Sequence, residues 1–396
     1  MMIVKPRIRG FLCTTAHPKG CAKYVLDQVN YVKSKPAING TTKTLIVGCS
    51  MGYGLASRIS AAFGCGANTI GVSFEKEPTP TKTASPGWYN NEAFGHFARE
   101  HGLLSPTING DAFSDEVKQQ VIDVIKEKLG TIDLLVYSLA SPVRTHAKTG
   151  SVFRSFIKPI GQNLNSRTLQ LDAINGNCVV REVQLPAATP SEIESTVAVM
   201  GGEDWQDWVA TLASANVLSS GFKTVAYTYM GNELTWPIYR GGTIGRAKEH
   251  LDLTCQQLSA EYEPNIEPLI AVLKAVVTQA STAIPVVPLY FSILFKEMKK
   301  RGTHEDCTQQ IHRLFNEQLY RADRRTDEAG RIRMDNFEMD EVVQRVVKEN
   351  WHRVDSENVH ELADVEGFRQ DFLSLFGFER TDIDYDLEVD PTTAIQ

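Results

Sequence analysis

Tyr239 and Lys248, near the middle of the chain, are the side chains whose types and spacing best suit chemistry on a carbonyl group. When hydride adds to an activated double bond, negative charge grows on the carbonyl oxygen, and a tyrosine hydroxyl can stabilise it as a neutral donor. A nearby lysine can hold a cofactor ribose and lower the pKa of the tyrosine through its charge. The alternative is structural: a solvated lysine on a helix and a half-buried tyrosine.

The nine-residue spacing of this pair limits where each residue can lie. At about 100° per residue in an α-helix, two residues nine apart point to opposite faces. Tyr239 and Lys248 therefore cannot meet on one continuous regular helix. The glycine pair at 241–242 is a plausible break, with Thr243 as the N-cap of the next helix. This predicts Tyr239 in a loop and Lys248 in the second turn of that helix.

Residues 44–75 carry the pattern of a dinucleotide-binding unit, around which the rest of the chain is organised. A short apolar run is followed by Gly48, Gly52 and Gly54, then by an amphipathic stretch and a second apolar run that ends in Glu75. This order predicts a strand, a glycine turn, a helix, a strand and an acid. The glycines allow a sharp turn and leave room for a pyrophosphate against the helix N-terminus.

Glu75 predicts which dinucleotide is bound. An acid about 20 residues beyond the last glycine can accept hydrogen bonds from the adenosine ribose hydroxyls. The same carboxylate would repel a 2′-phosphate, so the sequence favours NADH over NADPH. The spacing G-x3-G-x-G resembles the variant found in short-chain dehydrogenases. The alternative is a tight turn in a Rossmann-like domain that binds something else, such as a methyl donor.

Bulk properties narrow the class of protein. The net charge of −7, with both signs interspersed over 396 residues, argues against a nucleic-acid footprint or a polybasic membrane patch. Seven scattered cysteines without a C-x-x-C pair suggest neither a disulfide framework nor a metal site. The N-terminus lacks a signal-peptide core, and the most apolar stretch, 283–295, is too short to span a bilayer. A reducing cytoplasm fits best.

Alternating strand and helix patterns predict an α/β fold, a Rossmann-like doubly wound parallel sheet with helices on both faces. Ligands of such sheets bind at the carboxyl ends of the strands. We predict one enlarged domain over 1–396, with a dinucleotide-binding core at 44–145, a β-hairpin inserted at 165–187 around Asn175-Gly176, and a helical, substrate-covering extension at 280–380. The pattern predicts a short strand or an extended segment over residues 2–12, and a loop over 78–91 before a helix at 92–101.

The chain resembles the NADH-dependent enoyl-thioester reductases of the trans-2-enoyl-CoA reductase group, also called FabV-type enoyl-acyl-carrier-protein reductases. These enzymes are similar to short-chain dehydrogenases but carry Tyr-x8-Lys, which here is Tyr239-x8-Lys248. Further matching stretches run along nearly the whole chain, among them MIVKPRIRG, GYGLASRI, IGVSFEK, GDAFSDE, YSLASPVRT, YRGGTIGRAKEHL and IPVVPLY. The resemblance implies reduction of trans-2-enoyl thioesters, carried by CoA or acyl carrier protein, by a monomer acting in fatty acid synthesis.

The resemblance also implies a role for particular residues. Tyr239 would be the catalytic acid, Lys248 would support both that tyrosine and the cofactor, and Tyr229 would contact the substrate near its thioester. Ile284 and Phe291 would lie in the segment that covers the acyl chain. Together with Lys248, the cofactor would contact Gly48, Cys49, Ser50, Met51, Gly52, Tyr53, Gly54, Phe74, Glu75, Asp111, Ala112, Leu139, Ala140, Val277, Thr278 and Gln279.

Several alternatives stay open at the level of sequence. Tyr227 could replace Tyr229, and we expect the two side chains to point to opposite sides of their strand. Asp111 could bond the adenine or simply cap the turn that follows it. The apolar run that contains Ile284 and Phe291 could be core packing of a helix. The whole chain could instead be a carbonyl-reducing dehydrogenase, or an NADH-sensing protein without turnover.

Overall fold

The computed structural model describes residues 1–395, and its centre is a seven-stranded parallel sheet. The strands of the chain, in order, are β1 Ile8–Arg9, β2 Leu12–Cys13, β3 Lys43–Val47, β4 Asn68–Ser73, β5 Thr107–Asn109, β6 Ile132–Tyr137, β7 Val143–Thr145, β8 Val152–Arg154, β9 Leu164–Leu171, β10 Cys178–Leu185, β11 Leu218–Tyr229, β12 Ile266–Leu273 and β13 Ile332–Arg333.

The main sheet has the strand order β13-β12-β11-β6-β3-β4-β5, and every neighbouring pair in it is parallel. The chain therefore starts at β3, winds outwards to β5, and then returns to β6 on the other side of β3. A crevice opens where the winding direction reverses, between the carboxyl ends of β3 and β6, and ligands of doubly wound sheets bind there. The predicted fold class is confirmed.

Helices cover both faces of this sheet. In chain order they are α1 Pro18–Lys33, α2 Gly52–Ile59, α3 Pro86–Glu100, α4 Asp115–Lys128, α5 Pro190–Met200, α6 Glu203–Ser214, α7 Thr243–Tyr262, α8 Gln279–Thr282, α9 Val287–Arg301, α10 Cys307–Leu314, α11 Glu341–Arg353, α12 Val359–Leu362 and α13 Val365–Ser374. Single π-helical turns extend α2 over Ser60–Gly64 and α10 over Phe315–Leu319.

The alternation of buried side chains along β3 explains the two helical layers. Leu45 and Val47 join the apolar core under α4, α6 and α7. Ile46, between them, faces the opposite core, which α2 and α10 complete. Because successive strand residues point to opposite faces, a strand covered on both faces must be apolar at every position. The continuous run Leu45-Ile46-Val47 meets that requirement.

A third layer lies beside the sheet and is built from the second half of the chain. The hairpin β9–β10 is antiparallel, with Leu171 paired to Cys178 around the turn, as its Asn-Gly pair predicts. Leu169 and Leu171 of the hairpin enter the same apolar core as α9, α11 and α13. The Arg167 guanidinium donates to the carbonyls of Trp351 and Val354 at the end of α11. The division into a core, an inserted hairpin and a substrate-covering extension stays a prediction.

The structure differs from the sequence-based expectations at several boundaries. The helix predicted from residue 92 begins at Pro86, because proline is favoured in the first helical turn, and so part of the predicted loop is helical. Gly242, not Thr243, is the N-cap of α7, since the Thr243 hydroxyl donates instead to the Phe156 carbonyl. The segment at 2–12 contains the short strand β1 and the first residue of β2, in agreement with the prediction, whereas β7, β8 and β13 were not predicted.

The two ends of the chain meet. Met2 and Val389 exchange two backbone hydrogen bonds of 2.9 Å as an antiparallel bridge. Nearby, the His17 amide donates to the Phe376 carbonyl at 2.9 Å. A Cβ at Gly20 would lie 1.7 Å from the Gly377 carbonyl oxygen, so this contact between backbones requires glycine. Within residues 1–395, no helix combines the length and apolar character that a bilayer crossing needs.

Candidate active site

The glycine turn lies at the carboxyl end of β3, at the reversal point of the sheet. Gly48 has φ +86°, and a Cβ there would lie 2.4 Å from the Ser138 carbonyl at the end of β6. A Cβ at Gly54 would lie 1.8 Å from the Gly48 carbonyl oxygen. These two close approaches bring the start of α2 against β3 and leave its N-terminal amide groups facing the crevice. An anion such as a pyrophosphate is stabilised at such a helix end.

Glu75 follows β4 and is held in place from several directions. The Ser50 hydroxyl donates to Glu75 Oε1 at 2.5 Å, and the Ser85 hydroxyl donates to Oε2. The backbone of Glu75 exchanges hydrogen bonds with the Asn109 amide group, at 2.7 and 3.0 Å. A Cβ at Gly87 would lie 2.1 Å from Glu75 Oε1, so only glycine leaves room for the carboxylate. The acid is therefore preorganised beside the glycine turn.

The side chains or carbonyls of some predicted cofactor residues have hydrogen-bond partners within the protein. The Tyr53 hydroxyl donates to the Lys274 carbonyl at 2.7 Å, and the buried Cys49 thiol lies 3.5 Å from Asn91 Oδ1. Ala112 is buried, and its carbonyl accepts the Trp208 indole N–H at 3.1 Å. Asp111 Oδ1 accepts from the Phe113 amide at 3.0 Å, which is the capping contact that the sequence left as an alternative.

The other predicted cofactor residues surround the same crevice. Met51 has extended backbone and is the N-cap of α2, next to Gly52 with φ +52°. Thr278 faces Gly52, since its Cγ2 lies 3.4 Å from the Cβ position of that glycine, and it caps α8. The residues not yet placed are Phe74, which is 78% exposed, Leu139 and Ala140 after β6, and Val277 and Gln279 on either side of Thr278.

Tyr239 lies in the loop between β11 and α7, as predicted, and is 7% exposed. Its ring packs edge-on against Tyr229, with 4.7 Å between centroids and 72° between planes. Among residues 1–395, no hydrogen bond engages the Tyr239 hydroxyl. Burial raises the pKa of Tyr239, and the negative charge of Glu338 raises it further. The group therefore stays a protonated donor at neutral pH.

Lys248 lies in the second turn of α7, also as predicted, and points towards β11. Its Nζ donates to the Tyr227 carbonyl at 3.1 Å. Burial lowers the pKa of Lys248 to about 8, and Asp252, one turn further along the helix, partly opposes that shift. Within the described chain, Lys248 and Tyr239 share no hydrogen bond. They are connected through the end of β11, which Lys248 contacts at Tyr227 and Tyr239 contacts at Tyr229.

Tyr229 rather than Tyr227 accompanies Tyr239. β11 continues to Tyr229, and because side chains two apart on a strand share a face, the expectation that the two rings point to opposite sides is wrong. The two tyrosines differ instead in how far along β11 they lie. The Tyr227 hydroxyl is paired with the Ser57 hydroxyl at 2.7 Å inside the core, whereas Tyr229 contacts Tyr239 at the strand end.

Glu338 is a residue of this site that sequence reasoning missed. It is fully buried, and its Oε1 accepts the hydroxyls of Tyr229 at 2.7 Å and of Tyr290 at 2.9 Å. Its Oε2 accepts the Ala275 amide at 2.6 Å. Glu338 comes from the turn before α11, more than a hundred residues beyond Tyr229. A single glutamate between Phe337 and Met339 gives no local signal of such a contact.

Side chains of α9 and of the segment before it pack next to Tyr229. The Phe291 ring lies 6.4 Å from the Tyr229 ring and 5.6 Å from Phe295, one helical turn further on. Phe291 and Ile284 are 2% and 7% exposed, so both lie in the apolar core that borders the tyrosines. Val286, between them in sequence, has φ +75°. A positive φ is strained for a β-branched residue such as valine, and backbone strain of this kind is concentrated at functional sites.

A glycine turn at the reversal point of a doubly wound sheet, an acid after the second strand, and a tyrosine and lysine at the end of β11 define a dinucleotide-dependent oxidoreductase. The comparisons with known proteins specify this class further. A family model described as the trans-2-enoyl-CoA reductase catalytic region matches residues 82–320. A second model, the NAD(P)H binding domain of trans-2-enoyl-CoA reductase, matches 3–80. This chain belongs to the trans-2-enoyl-CoA reductase family.

Similar proteins cover the chain from end to end. An enoyl-[acyl-carrier-protein] reductase [NADH] of Idiomarina loihiensis is 53% identical over 98% of this chain and 99% of its own length. The enzyme of the same name from Pseudomonas paraeruginosa is 51% identical over 100% and 98%. The crystal structure of Treponema denticola trans-2-enoyl-CoA reductase in complex with NAD matches with a TM-score of 0.94 at 48% identity, covering 98% of each chain.

A third family model, described as an enoyl reductase FAD binding domain, matches residues 326–389. In this chain the segment forms α11–α13, whose buried side chains pack on α9, and it delivers Glu338 to the tyrosines. Its three glycines are spread over the whole segment and form no counterpart of the closely spaced turn at 48–54. The residues present therefore do not fit a flavin dinucleotide, whereas the glycine turn fits NADH.

Proposed function

We propose that this chain reduces the trans-2 double bond of enoyl thioesters with NADH, in fatty acid synthesis, and that Tyr239 is the acid of the reaction. The observation that carries the assignment of Tyr239 is its hydroxyl, which is protonated and without a hydrogen-bond partner among the described residues, on a largely buried side chain beside Tyr229 at the end of β11. A buried donor without a protein partner is available to a substrate oxygen.

The glycine turn and its neighbours would hold the cofactor. The amide groups at the start of α2 would bind the pyrophosphate, and Glu75 would accept the ribose hydroxyls after exchanging its bonds from Ser50 and Ser85. Thr278, which faces Gly52, would close the turn from the side of β12. When bound, NADH supplies the hydride that reaches Cβ of the enoyl thioester.

The chain's own residues would stabilise the charge that develops. As Cβ gains hydride, electrons move to the thioester oxygen, and the Tyr239 hydroxyl donates a hydrogen bond to that oxygen. A neutral donor held in a dry site needs little reorganisation at this step, which is why such donors typically contribute roughly 10²–10³ in rate. The enolate then takes a proton from water at Cα, which completes the saturated thioester and leaves Tyr239 protonated.

Lys248 would act through position and charge. Its Nζ lies at the end of β11, where it can hold a ribose hydroxyl of the cofactor while remaining bonded to the Tyr227 carbonyl. Its positive charge stabilises negative charge on the neighbouring tyrosine hydroxyl and on the substrate oxygen. Ile284 and Phe291 would form the wall against which the acyl chain lies.

The physiological setting is part of the proposal. The substrate carrier is CoA or acyl carrier protein, the protein acts as a monomer, and it works in the cytoplasm. The seven cysteines are free thiols, which agrees with a reducing compartment.

Substrate-dependent NADH oxidation tests the proposed function. We expect rapid oxidation with crotonyl-CoA and little with acetoacetyl-CoA, because the tyrosine would serve an enolate rather than a ketone reduction. A preference for acetoacetyl-CoA would identify a carbonyl reductase instead. NADH binding without turnover on either thioester would identify a sensor. Crotonyl thioesters of CoA and of acyl carrier protein, compared at equal concentration, decide the carrier.

A further inference from the structure

The buried carboxylate of Glu338 gathers three hydrogen-bond donors from three different parts of the chain. These are the Tyr229 hydroxyl at the end of β11, the Tyr290 hydroxyl on α9 and the Ala275 amide after β12. The backbone of Glu338 is also fixed, since its carbonyl accepts the Gln344 side-chain amide at 2.6 Å. A carboxylate that accepts several good hydrogen bonds in a dry site holds its donors in one geometry.

This contact determines what Tyr229 can do. A tyrosine hydroxyl carries one hydrogen, and that of Tyr229 is directed at Glu338 at 2.7 Å. The hydroxyl therefore cannot donate to a substrate oxygen at the same time. The ring of Tyr229 is left as a fixed wall, 4.7 Å from the ring of Tyr239. Of the two neighbouring tyrosines, only Tyr239 has an uncommitted hydrogen within the described chain.

We infer that Glu338 is a positioning residue for the reduction: it tethers Tyr229 through its hydroxyl, and the tethered ring fixes Tyr239 with its hydroxyl free for the thioester oxygen. The inference rests on the proposed role of Tyr239. It assigns the hydroxyl of Tyr229 to anchoring rather than to proton donation. It also gives the last part of the chain, which carries Glu338, a direct part in the reaction site.

The variant Glu338→Gln removes the tether with little change of volume. An amide has one acceptor oxygen and one donor nitrogen, whereas Glu338 accepts on both oxygens. If the amide oxygen faces the tyrosines, its NH₂ opposes the Ala275 N–H; if it is flipped, the oxygen accepts the Ala275 N–H and the NH₂ donates to the tyrosine hydroxyls, whose own hydrogens must then point elsewhere. The first arrangement gives up the Ala275 contact and leaves an uncharged acceptor for Tyr229, and the second reverses the Tyr229 hydrogen bond, so neither keeps the charged tether.

A double-mutant cycle between Glu338→Gln and Tyr229→Phe tests the inference. We expect each single change to lower kcat for crotonyl-CoA roughly tenfold, the size of one lost charge-assisted hydrogen bond. The double variant should lose no more than either single variant, because both remove the same contact. The KM for NADH should stay within about twofold, since neither residue contacts the glycine turn. Additive losses, or an unchanged kcat in Glu338→Gln, would overturn the inference.

Thermal unfolding separates a structural role from a positioning role. Glu338→Gln should lower Tm in the Tyr229→Phe background as well, because the amide still replaces the charged acceptor that Tyr290 and Ala275 share, while kcat no longer responds. Asp204→Asn is the matched control: Asp204 is 2% exposed and accepts the Tyr137 hydroxyl at 3.0 Å, away from Tyr229. Its effect on kcat should add to that of Tyr229→Phe.

Two further variants keep the outcomes distinct. If Glu338→Gln does not fold, Glu338→Asp, which keeps the charge but shortens the reach, replaces it in the cycle with the same expected non-additivity. Tyr239→Phe is measured alongside. If Tyr239→Phe keeps normal turnover, the proposed acid is wrong and the inference falls with it. If Tyr239→Phe is inactive but the cycle is additive, the inference alone is wrong.

Discussion

The Ser50 hydroxyl lies 2.5 Å from Glu75 Oε1 and joins the glycine turn after β3 to the acid after β4. Ser85 holds the other oxygen of the same carboxylate from the start of α3. Both hydroxyls can exchange places with ribose hydroxyls, which have the same donor chemistry. A phosphate at that place would bring a second anion into a site that already holds a fixed one, and close anions in a partly desolvated site repel.

Replacing Glu75 should therefore change cofactor choice. The unmodified enzyme should show a much higher KM for NADPH than for NADH, and Glu75→Ala should narrow that gap. The control is Glu77→Ala, which removes an exposed carboxylate two residues further on and should leave the ratio unchanged. Equal use of both cofactors by the unmodified enzyme would contradict the assignment.

Removing the hydroxyl of Tyr239 should abolish most turnover. Tyr239→Phe is expected to lower kcat for crotonyl-CoA by ~10²–10³, the usual cost of one donor to a developing oxyanion, with little change in NADH binding. Tyr320→Phe, which removes a buried hydroxyl where the ring packs on Phe315, is the control and should keep kcat. Near-normal reduction of crotonyl-CoA by Tyr239→Phe would show that another residue is the acid, and Tyr229 would be the first to test.

Lys248 should make cofactor use dependent on pH. Burial lowers the pKa of Lys248 to about 8, so in the free enzyme its charge is present below that pH and is lost as the pH rises through it. We expect kcat/KM for NADH to fall above about pH 8. Lys248→Arg, which stays charged, should move that fall to higher pH, and Lys248→Ala should damage both turnover and NADH affinity. A profile that is the same for the lysine and arginine enzymes would show that another group titrates.

The fold was predictable because its signals are local. Leu45-Ile46-Val47 must be a strand covered on both faces, and Asn175-Gly176 between alternating runs must turn back on itself. Helix boundaries were less predictable where one side chain could bond to either of two partners. Thr243 could cap α7 or reach Phe156, and only the packing of that loop decides in favour of Phe156.

The candidate site was predictable only in part, because some of its contacts join residues far apart in the sequence. The spacing of Tyr239 and Lys248 was enough to separate a loop from a helix. No spacing rule brings Glu338 to Tyr229, since the two are joined by tertiary packing alone. The left-handed backbone of Val286 was equally hidden, because valine is a residue that avoids it.

The acyl wall should respond to the size of Phe291. Phe291→Leu is expected to raise kcat/KM for longer enoyl chains relative to short ones, because the smaller side chain leaves more space beside Tyr229. The shift should reach up to ~1–3 kcal/mol per methylene-sized change. Ile284→Val should act in the same direction but less. The measurement is the ratio of kcat/KM for a dodecenoyl thioester to that for crotonyl-CoA, together with Tm.

Phe295→Leu is the matched control for the acyl wall. Phe295 is fully buried one helical turn beyond Phe291 and packs on His304. Its truncation should lower Tm and leave the chain-length ratio unchanged. If Phe291→Leu behaves in the same way, Phe291 is a core residue and the wall must be built by other side chains.

The meeting of the two chain ends has a consequence for the timing of biosynthesis. The strand partner of Met2 is Val389, and the amide of His17 is bonded to the carbonyl of Phe376, so residues 2 and 17 must wait for partners that are synthesised much later. The parallel sheet can assemble earlier, since domains fold while synthesis continues. The growing chain should therefore carry a complete cofactor crevice before residues 2–17 are paired, and those residues should become resistant to proteolysis only after residues 376–389 have been made.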